Sequence, residues 1–199
     1  MSLRESFQEL MSRFDGHDSG VNPPAKSSQF KFLNDLDGSF DLSEVKELYQ
    51  IANGQSVTGC PLFSMNYFED ISKFEDSRRI KLMMAQNDLN DKIAKGKSHD
   101  EIVKGIEEFN CSLYWDKGWI VIGSSEYSSF QILIDVDKRR SSFGRVGIRE
   151  HEDYPKGYVI ANSLQHFLEL TTALVDNNEM TEHGCFFTYP KLSCSDPES

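Results

Sequence analysis

The strongest constraint on the fold lies in residues 115–149. Turns rich in Gly, Ser or charge separate three apolar runs in this stretch, at residues 119–122, 130–136 and 146–148. In the middle run Ile132 and Ile134 alternate with Leu133 and Asp135, which is typical of a mostly buried antiparallel strand. The intervening segments have the spacing of hairpin turns, at residues 123–125 and 138–144. The stretch therefore predicts a meander of strands that must bury one face on other parts of the chain.

Helical periodicity predicts further elements on both sides of this meander. Apolar residues recur at three- and four-residue spacing in segments 2–14, 42–52 and 162–175. Three capping pairs are predicted at helix starts: Asp41 with Glu44, Ser98 with Glu101, and Asn162 with Gln165. Asn53-Gly54 predicts a left-handed end for the second helix. Shorter helical segments are expected near residues 66–71, 80–85, 89–94 and 98–109.

Other segments are expected to be strands or irregular chain. Edge and closing strands are predicted at residues 61–65 and 158–161. A Gly- and Pro-containing linker follows the first helix, which either docks on the domain or mediates association. Near the other end, residues 185–189 either add a strand or belong to a frayed tail. The predicted organisation has three parts: residues 1–28 (an amphipathic helix and linker), 29–176 (the domain) and 177–199 (a polar tail).

Together these elements predict an α+β fold. A single domain would contain a twisted, mostly antiparallel sheet of about five or six strands, with the N-terminal and C-terminal helices packed around it. Seven side chains are predicted to be buried in one core: Val45, Leu48, Trp119, Ile132, Ile134, Phe167 and Leu168.

Composition excludes several classes of protein. The chain of 199 residues has a net charge of −11, which argues against a nucleic-acid binder because such proteins need basic patches. No apolar run approaches the roughly 18 residues of a membrane span, and charged residues interrupt the first 14, so a cytoplasmic protein is expected. The cysteines have no CxxC spacing and are expected to be unpaired thiols: Cys60, Cys111, Cys185 and Cys194.

Catalytic motifs are not visible in the sequence. The five histidines are dispersed, and His151 beside Glu152 and Asp153 is the one local cluster of His and carboxylates. That cluster is either a metal site or, more simply, a solvated loop. The sequence has no phosphate-binding Gly-rich loop and no visible nucleophile–base pair. We therefore expect a protein that is not an enzyme and that has no cofactor and no catalytic metal.

The meander also resembles the SUKH superfamily. The resemblance lies in a strand led by Trp119 that ends in Ile-Gly, a strand closing on Leu-Ile-Asp-Val, and Gly-Arg-Val-Gly at residues 144–147. Residues 42–55 resemble the superfamily's early helix ending in Asn-Gly, and residues 159–170 its closing strand and helix. The chain departs from the pattern at Ser43, where the family often has Pro, and at 126–128, which replace a Gly/Asp-rich loop.

The resemblance implies a protein-binding module. SUKH members include bacterial immunity proteins that neutralise a cognate toxin, often a nuclease, by occluding its active site. They also include Smi/Knr-type regulators of cell-wall synthesis in fungi, so an intracellular adaptor or regulator is the alternative function. A small hydrolase with an unrecognised site is a third hypothesis. The acidic chain is compatible with a basic toxin domain, because complementary charge accelerates encounter.

The hairpin loop at residues 124–129 is the candidate contact surface. It joins an aromatic anchor to serines and a carboxylate, a mixture enriched at recognition surfaces, although an ordinary polar loop has a similar composition. If the strands are antiparallel, this loop and the acidic segment 150–153 lie at one end of the sheet. The candidate partner-binding residues are Glu126, Tyr127, Glu150, Glu152 and Asp153, with Tyr67 and Asp70 in a second candidate segment.

Overall fold

A computed structural model describes residues 1–30, 38–73, 90–91, 93–98, 118–124, 130–150, 157–181 and 183–192. Of Glu150 it describes the backbone. Several predictions lie outside these residues: the helix at 80–85, all but the first residue of the helix at 98–109, and the His151 cluster. The division of the chain at residues 28 and 176 stays a prediction.

The described elements form an α+β fold with one main sheet. The helices are α1 (Leu3–Ser12), a short 3-10 helix (Ser27–Phe30), α2 (Ser43–Ile51) and α3 (Leu164–Asp176). The strands of the sheet are β1 (Tyr67–Phe68), β2 (Trp119–Ser124), β3 (Phe130–Asp135), β4 (Val146–Glu150) and β5 (Gly157–Ala161). A separate two-stranded sheet consists of β6 (Met180–Thr181) and β7 (Gly184–Cys185).

The five-stranded sheet is open and antiparallel throughout, with the order β1-β2-β3-β4-β5. Its central register pairs Ile132 with Ile148 and Ile134 with Val146. These four side chains face a core that α1, α2 and α3 cover. The predicted fold class is confirmed.

The N-terminal helix docks on the domain. It begins at Ser2, whose side chain and backbone form a capping box with Glu5, and its apolar residues lie in the main core with α3. Arg13, just beyond the helix, donates to both carboxylate oxygens of Asp176 at 2.9 and 3.0 Å. Of the two alternatives for this helix, docking on the domain and association, the structure shows docking. Apolar burial is the main source of its stability there.

Trp119 is buried, with 5% of its surface exposed, but not in that core. It packs with Val121 and Leu133 in a second cluster. Successive side chains of a strand point to opposite faces, so Leu133 lies on the face opposite Ile132 and Ile134. The prediction of a single core is wrong for Trp119, whereas the other six predicted residues belong to the main core.

The capping pairs predicted at Asp41 and Asn162 are wrong by one residue. The N-cap position of α2 is Leu42, which makes no side-chain cap bond, and Asp41 accepts instead from the Ser43 amide at 2.9 Å. The N-cap of α3 is Ser163, whose hydroxyl accepts from the His166 amide at 3.0 Å. Each helix begins one residue later than predicted, so the preceding side chain cannot reach the amide three residues along the helix.

The structure also differs from the predicted edge strand at residues 61–65 and from the predicted hairpin turn at residues 123–125. Residues 61–65 are not an edge strand, because Phe63 and Asn66 pair across a tight turn that places Ser64 at a φ of 60°. The short strand β1 follows that turn instead of a helix. Gly123 and Ser124 belong to β2, so the hairpin turn starts later than predicted.

The C-terminal segment packs on the domain as far as residue 192. Tyr189 is buried against Phe167, with ring centroids 5.6 Å apart. The Leu192 amide donates to the Val159 carbonyl of β5 at 2.9 Å. Of the two alternatives for residues 185–189, Gly184–Cys185 forms the strand β7 and the rest is irregular, ordered chain.

Asp135 is a buried carboxyl at the end of β3. It accepts from the Ser142 hydroxyl at 2.5 Å and from the Asp137 amide at 3.0 Å, and the Arg140 guanidinium lies 3.6 Å away. Burial raises the pKa of Asp135 to about 6, because the hydrogen bonds to the ionised form only partly offset desolvation. Asp135 is thus a buried carboxyl with hydrogen-bond partners.

Leu168→Ala should lower the free energy of unfolding by roughly 2–5 kcal/mol, because Leu168 is fully buried between α3 and the sheet. Urea denaturation measures this loss. Leu174→Ala, at a half-buried position on the same helix, should cost clearly less. Equal losses at the two positions would contradict the assignment of the buried face of α3.

Asp135→Asn should alter how stability depends on pH. The folded-state pKa of Asp135 lies above its unfolded value. As the pH falls through 6, the native protein therefore takes up a proton that the unfolded chain does not. Because of this uptake, Asp135 contributes more stability at the lower pH. Between pH 7 and pH 5 the native chain should gain roughly 1 kcal/mol relative to Asp135→Asn. A difference between the two proteins that stays constant over this range would contradict the buried, protonatable carboxyl.

Candidate functional site

The strand register brings two loops to the same end of the sheet. Phe130 pairs with Glu150, Arg149 with Gly157, and Tyr67 with Ser124. The loop at 125–129 connects Ser124 to Phe130, and the loop at 151–156 connects Glu150 to Gly157. We call this the loop end of the sheet, defined by Tyr67, Ser124, Phe130, Glu150 and Gly157.

Gln55 fixes the edge strand β1 at the loop end. The side-chain carbonyl accepts from the amides of Leu62 at 3.3 Å and Phe68 at 3.2 Å. The side-chain nitrogen donates to the carbonyls of Ser19 and Cys60. All four hydrogen-bonding positions of this buried amide are therefore used. The Gln55 backbone amide adds a bond to the Phe68 carbonyl at 2.9 Å.

Asn53 and Gly54 hold the chain that follows β1. The Asn53 side chain accepts from the Ile71 amide at 3.2 Å and donates to Asp70 at 3.2 Å. Gly54 has a φ of +74°, and a Cβ there would lie 2.5 Å from the Asp70 Cα. α2 ends at Ile51 with an extended C-cap at Ala52, so the predicted left-handed end of this helix at Asn53-Gly54 is wrong. The positive φ of Gly54 and the close approach of Asp70 still require glycine at this position.

Glu69 connects β1 to the start of the loop at 125–129. Its amide donates to the Ile122 carbonyl at 3.0 Å, and its carboxylate accepts from the Ser124 hydroxyl. Its carbonyl accepts from the hydroxyl of the fully buried Tyr49 at 2.9 Å. Burial raises the pKa of Tyr49, so the phenol stays protonated and donates.

Of the predicted contact residues, the structure describes the side chains of Tyr67 and Asp70. Tyr67 is half-buried opposite Ser124, at the loop end. Asp70 accepts from the amide and hydroxyl of Ser72 at 2.7 and 2.6 Å, as a cap for the helical turn beginning at Ile71. The Asp70 carboxylate therefore stabilises the start of this helical turn. The side chains of the other five predicted residues lie outside the described part: Glu126, Tyr127, Glu150, Glu152 and Asp153.

Two residues at this end were missed by the sequence reasoning. Glu69 is half-buried beside Ser124, and Phe130 is 39% exposed where β3 leaves the loop. The alternation of Tyr67, Phe68 and Glu69 would have placed Glu69 on the Tyr67 side of a strand. The strand has only two residues, too few for that period to be recognised.

The described residues show neither a metal centre nor a membrane helix. Among them, no three His, Cys, Asp or Glu side chains are grouped as metal ligands would be. Within the same residues, no helix has the length and apolar composition needed to cross a bilayer. Cys60 and Cys185 are buried.

A family model matches residues 39–170, about two thirds of the chain, and its description is the SMI1 / KNR4 family (SUKH-1). The chain belongs to this family. The match begins just before α2, contains all five strands of the main sheet and ends within α3. It confirms the resemblance to the SUKH superfamily and identifies an immunity-type or Smi1/Knr4-type protein. A comparison with curated proteins gives no match.

Gln55→Glu should destabilise the protein by roughly 2–4 kcal/mol, because the carboxylate loses both donors and faces two carbonyl oxygens in a buried site. Lowering the pH should reduce the loss, since a protonated carboxyl recovers one donor. Gln50→Glu, exposed on α2, makes the same chemical change and should alter stability by less than about 0.5 kcal/mol. Equal effects at the two positions would contradict the role of Gln55.

Proposed function

We propose that this SMI1/KNR4-family chain is an immunity protein that binds a toxin through the loop end and inhibits it by covering its active site. The observation that carries the proposal is the register of β2, β3 and β4. Phe130 lies opposite Glu150, so the loops at 125–129 and 151–156 leave the same end of the sheet. Their predicted contact residues could then form one surface: Glu126, Tyr127, Glu150, Glu152 and Asp153.

Both edges of the sheet are engaged by other parts of the chain, which favours the loop end over strand addition. At β1, the Phe68 carbonyl accepts from the Gln55 amide. At β5, the Val159 carbonyl accepts from the Leu192 amide. A partner that added a strand would have to displace these segments, since it needs unpaired backbone groups. Recognition by side chains on the loops requires no such displacement.

Charge at the loop end suits a basic partner. Glu69 is held there by the Ser124 hydroxyl, and the two loops contribute further carboxylates in the sequence. With a net charge of −11 for the whole chain, the field accelerates encounter with a cationic protein such as a nuclease domain. Aromatic side chains provide the apolar contact: Tyr127 in the loop, with Phe130 and Tyr67 at its base.

A regulator or adaptor of the Smi/Knr type is the second candidate, because the matched family contains such proteins. Such a protein would also bind a partner, but it would not inhibit a toxin. The decisive probe is a cognate toxin domain, identified by a pull-down or as a reading frame beside the gene for this chain, then purified and assayed for its activity with and without the chain. Stoichiometric inhibition supports the immunity function, and a toxin that keeps full activity overturns it.

Variants of the loop end should change the binding kinetics in two distinct ways. Tyr127→Ala should raise koff about tenfold or more, because a central aromatic anchor is lost. Glu152→Lys should lower kon several-fold and weaken its dependence on salt, because peripheral charges act chiefly on encounter. Surface plasmon resonance at two salt concentrations measures both rates.

Matched controls lie outside the loop end. Phe143→Ala removes an exposed aromatic side chain in the turn after β3, at the opposite end of that strand, and Glu47→Lys reverses an exposed carboxylate on α2. Both should leave the rates within about twofold of the native values, since energetically silent surface positions are the norm. If the controls and the loop variants behave alike, the binding surface lies elsewhere on the chain.

A further inference from the structure

The opposite end of the sheet carries a turn whose charge differs in sign from that of the chain. We call residues 138–145, between β3 and β4, the basic turn. It contains Lys138, Arg139, Arg140 and Arg145, four of the 21 Lys and Arg residues of a chain with a net charge of −11. Phe143 lies at its outer part and is 42% exposed.

Two buried carboxylates, Asp135 and Asp137, pair with cations of the turn. Their side chains are only 0% and 5% exposed, whereas those of Arg140 and Arg139 are 25% and 58% exposed. Arg140 lies 3.6 Å from Asp135, and Arg139 donates to both oxygens of Asp137 at 2.8 and 2.7 Å. The groups that solvent and a partner meet are therefore mainly cationic.

Hydrogen bonds make the backbone of the basic turn rigid. The Phe143 amide donates to the Arg140 carbonyl at 3.2 Å, and the Arg145 amide to the Ser142 carbonyl at 3.0 Å. Gly144, with a φ of +79°, donates to the Asp135 carbonyl at 2.8 Å. The exposed ring is thus presented on a fixed support, which lowers the entropy that binding must remove.

We propose that the basic turn is a second docking surface, which binds an acidic segment of a protein partner that also presents an apolar side chain to Phe143. The cations would contact carboxylates, and the ring would provide the apolar contact.

β3 separates this surface from the loop end by about 20 Å, the length of a six-residue strand. A partner here can therefore bind at the same time as one at the loop end. The proposal does not depend on the toxin-binding function.

An acidic peptide fits the basic turn better than an extended polyanion does. Asp135 and Asp137 offset two of the four cations, and the remaining positive field is screened within about 8–10 Å at physiological salt. Beyond that distance a nucleic acid or an anionic membrane meets the surface of a strongly acidic protein and is repelled. A short peptide needs only the local contact.

Chemical-shift mapping on the full, isotope-labelled chain tests this surface. The probe is a short synthetic peptide in which Glu and Asp surround one Leu, and the same peptide with Lys in the acidic positions is its control. The acidic peptide should shift the amide signals of residues 138–145 and leave the loop end unchanged. No shifts at millimolar peptide, or shifts confined to other residues, would overturn the proposal.

Variants that keep the ion pairs of Arg139 and Arg140 distinguish a loss of peptide binding from a loss of folding. Lys138→Glu with Arg145→Glu leaves Arg139 and Arg140 in place and should weaken peptide binding about tenfold, and Phe143→Ala should weaken it several-fold. Arg4→Glu with Lys26→Glu changes the net charge equally at exposed positions elsewhere, and Phe186→Ala is the matched aromatic control.

The control variants should bind the peptide nearly as the native chain does, and equal losses in both sets would overturn the proposal. Two further probes test other classes of ligand: vesicles of phosphatidylglycerol and phosphatidylcholine, and a short DNA duplex. If either binds residues 138–145 more tightly than the acidic peptide does, the assignment to an acidic protein segment is wrong.

Discussion

The register of the three central strands determines where every other feature of the molecule lies. It pairs Ile132 with Ile148 in the core, and a slip of one residue would turn Asp135 toward that core instead. Burial of the apolar face against the three helices therefore selects one register. That register alone places Phe130 opposite Glu150 and thereby brings the two candidate loops together. At the other end it leaves Asp135 beneath the basic turn, so both proposed surfaces follow from the same constraint.

The loop end is held in place by buried amides more than by strand pairing. β1 has only two residues, and a strand of that length contributes little by itself. Gln55 compensates by satisfying the amides of Leu62, before β1, and Phe68, within it. Asn53 fixes the chain that follows. A fully satisfied buried polar network specifies one arrangement, because any displacement leaves a polar group unpaired. The loops at 125–129 and 151–156 thus start from a support that does not need a partner to order it.

The sequence predicted the fold where periodicity was long enough to be recognised. Alternation in β3 and the helical pattern of α3 were sufficient for the sheet and its main core. Capping was missed by one residue, since Asn162 and Ser163 are both favourable caps and only tertiary packing decides between them. The strand β1 was missed because its position depends on Gln55, a long-range contact with no local signal. For the candidate site, the sequence supplied the residue types, and the register supplied their common location.

Amide hydrogen exchange of the chain, with and without its cognate toxin, tests the central claim most directly. The account predicts that binding slows exchange in the loops at 125–129 and 151–156 and at the residues where they join the sheet, Ser124, Phe130 and Gly157. Exchange in the basic turn should stay unchanged, because that surface faces away from the toxin. Slowed exchange confined to β5 with residue 192, or to the helices, would contradict the account, since it would place the toxin on an edge or face of the sheet.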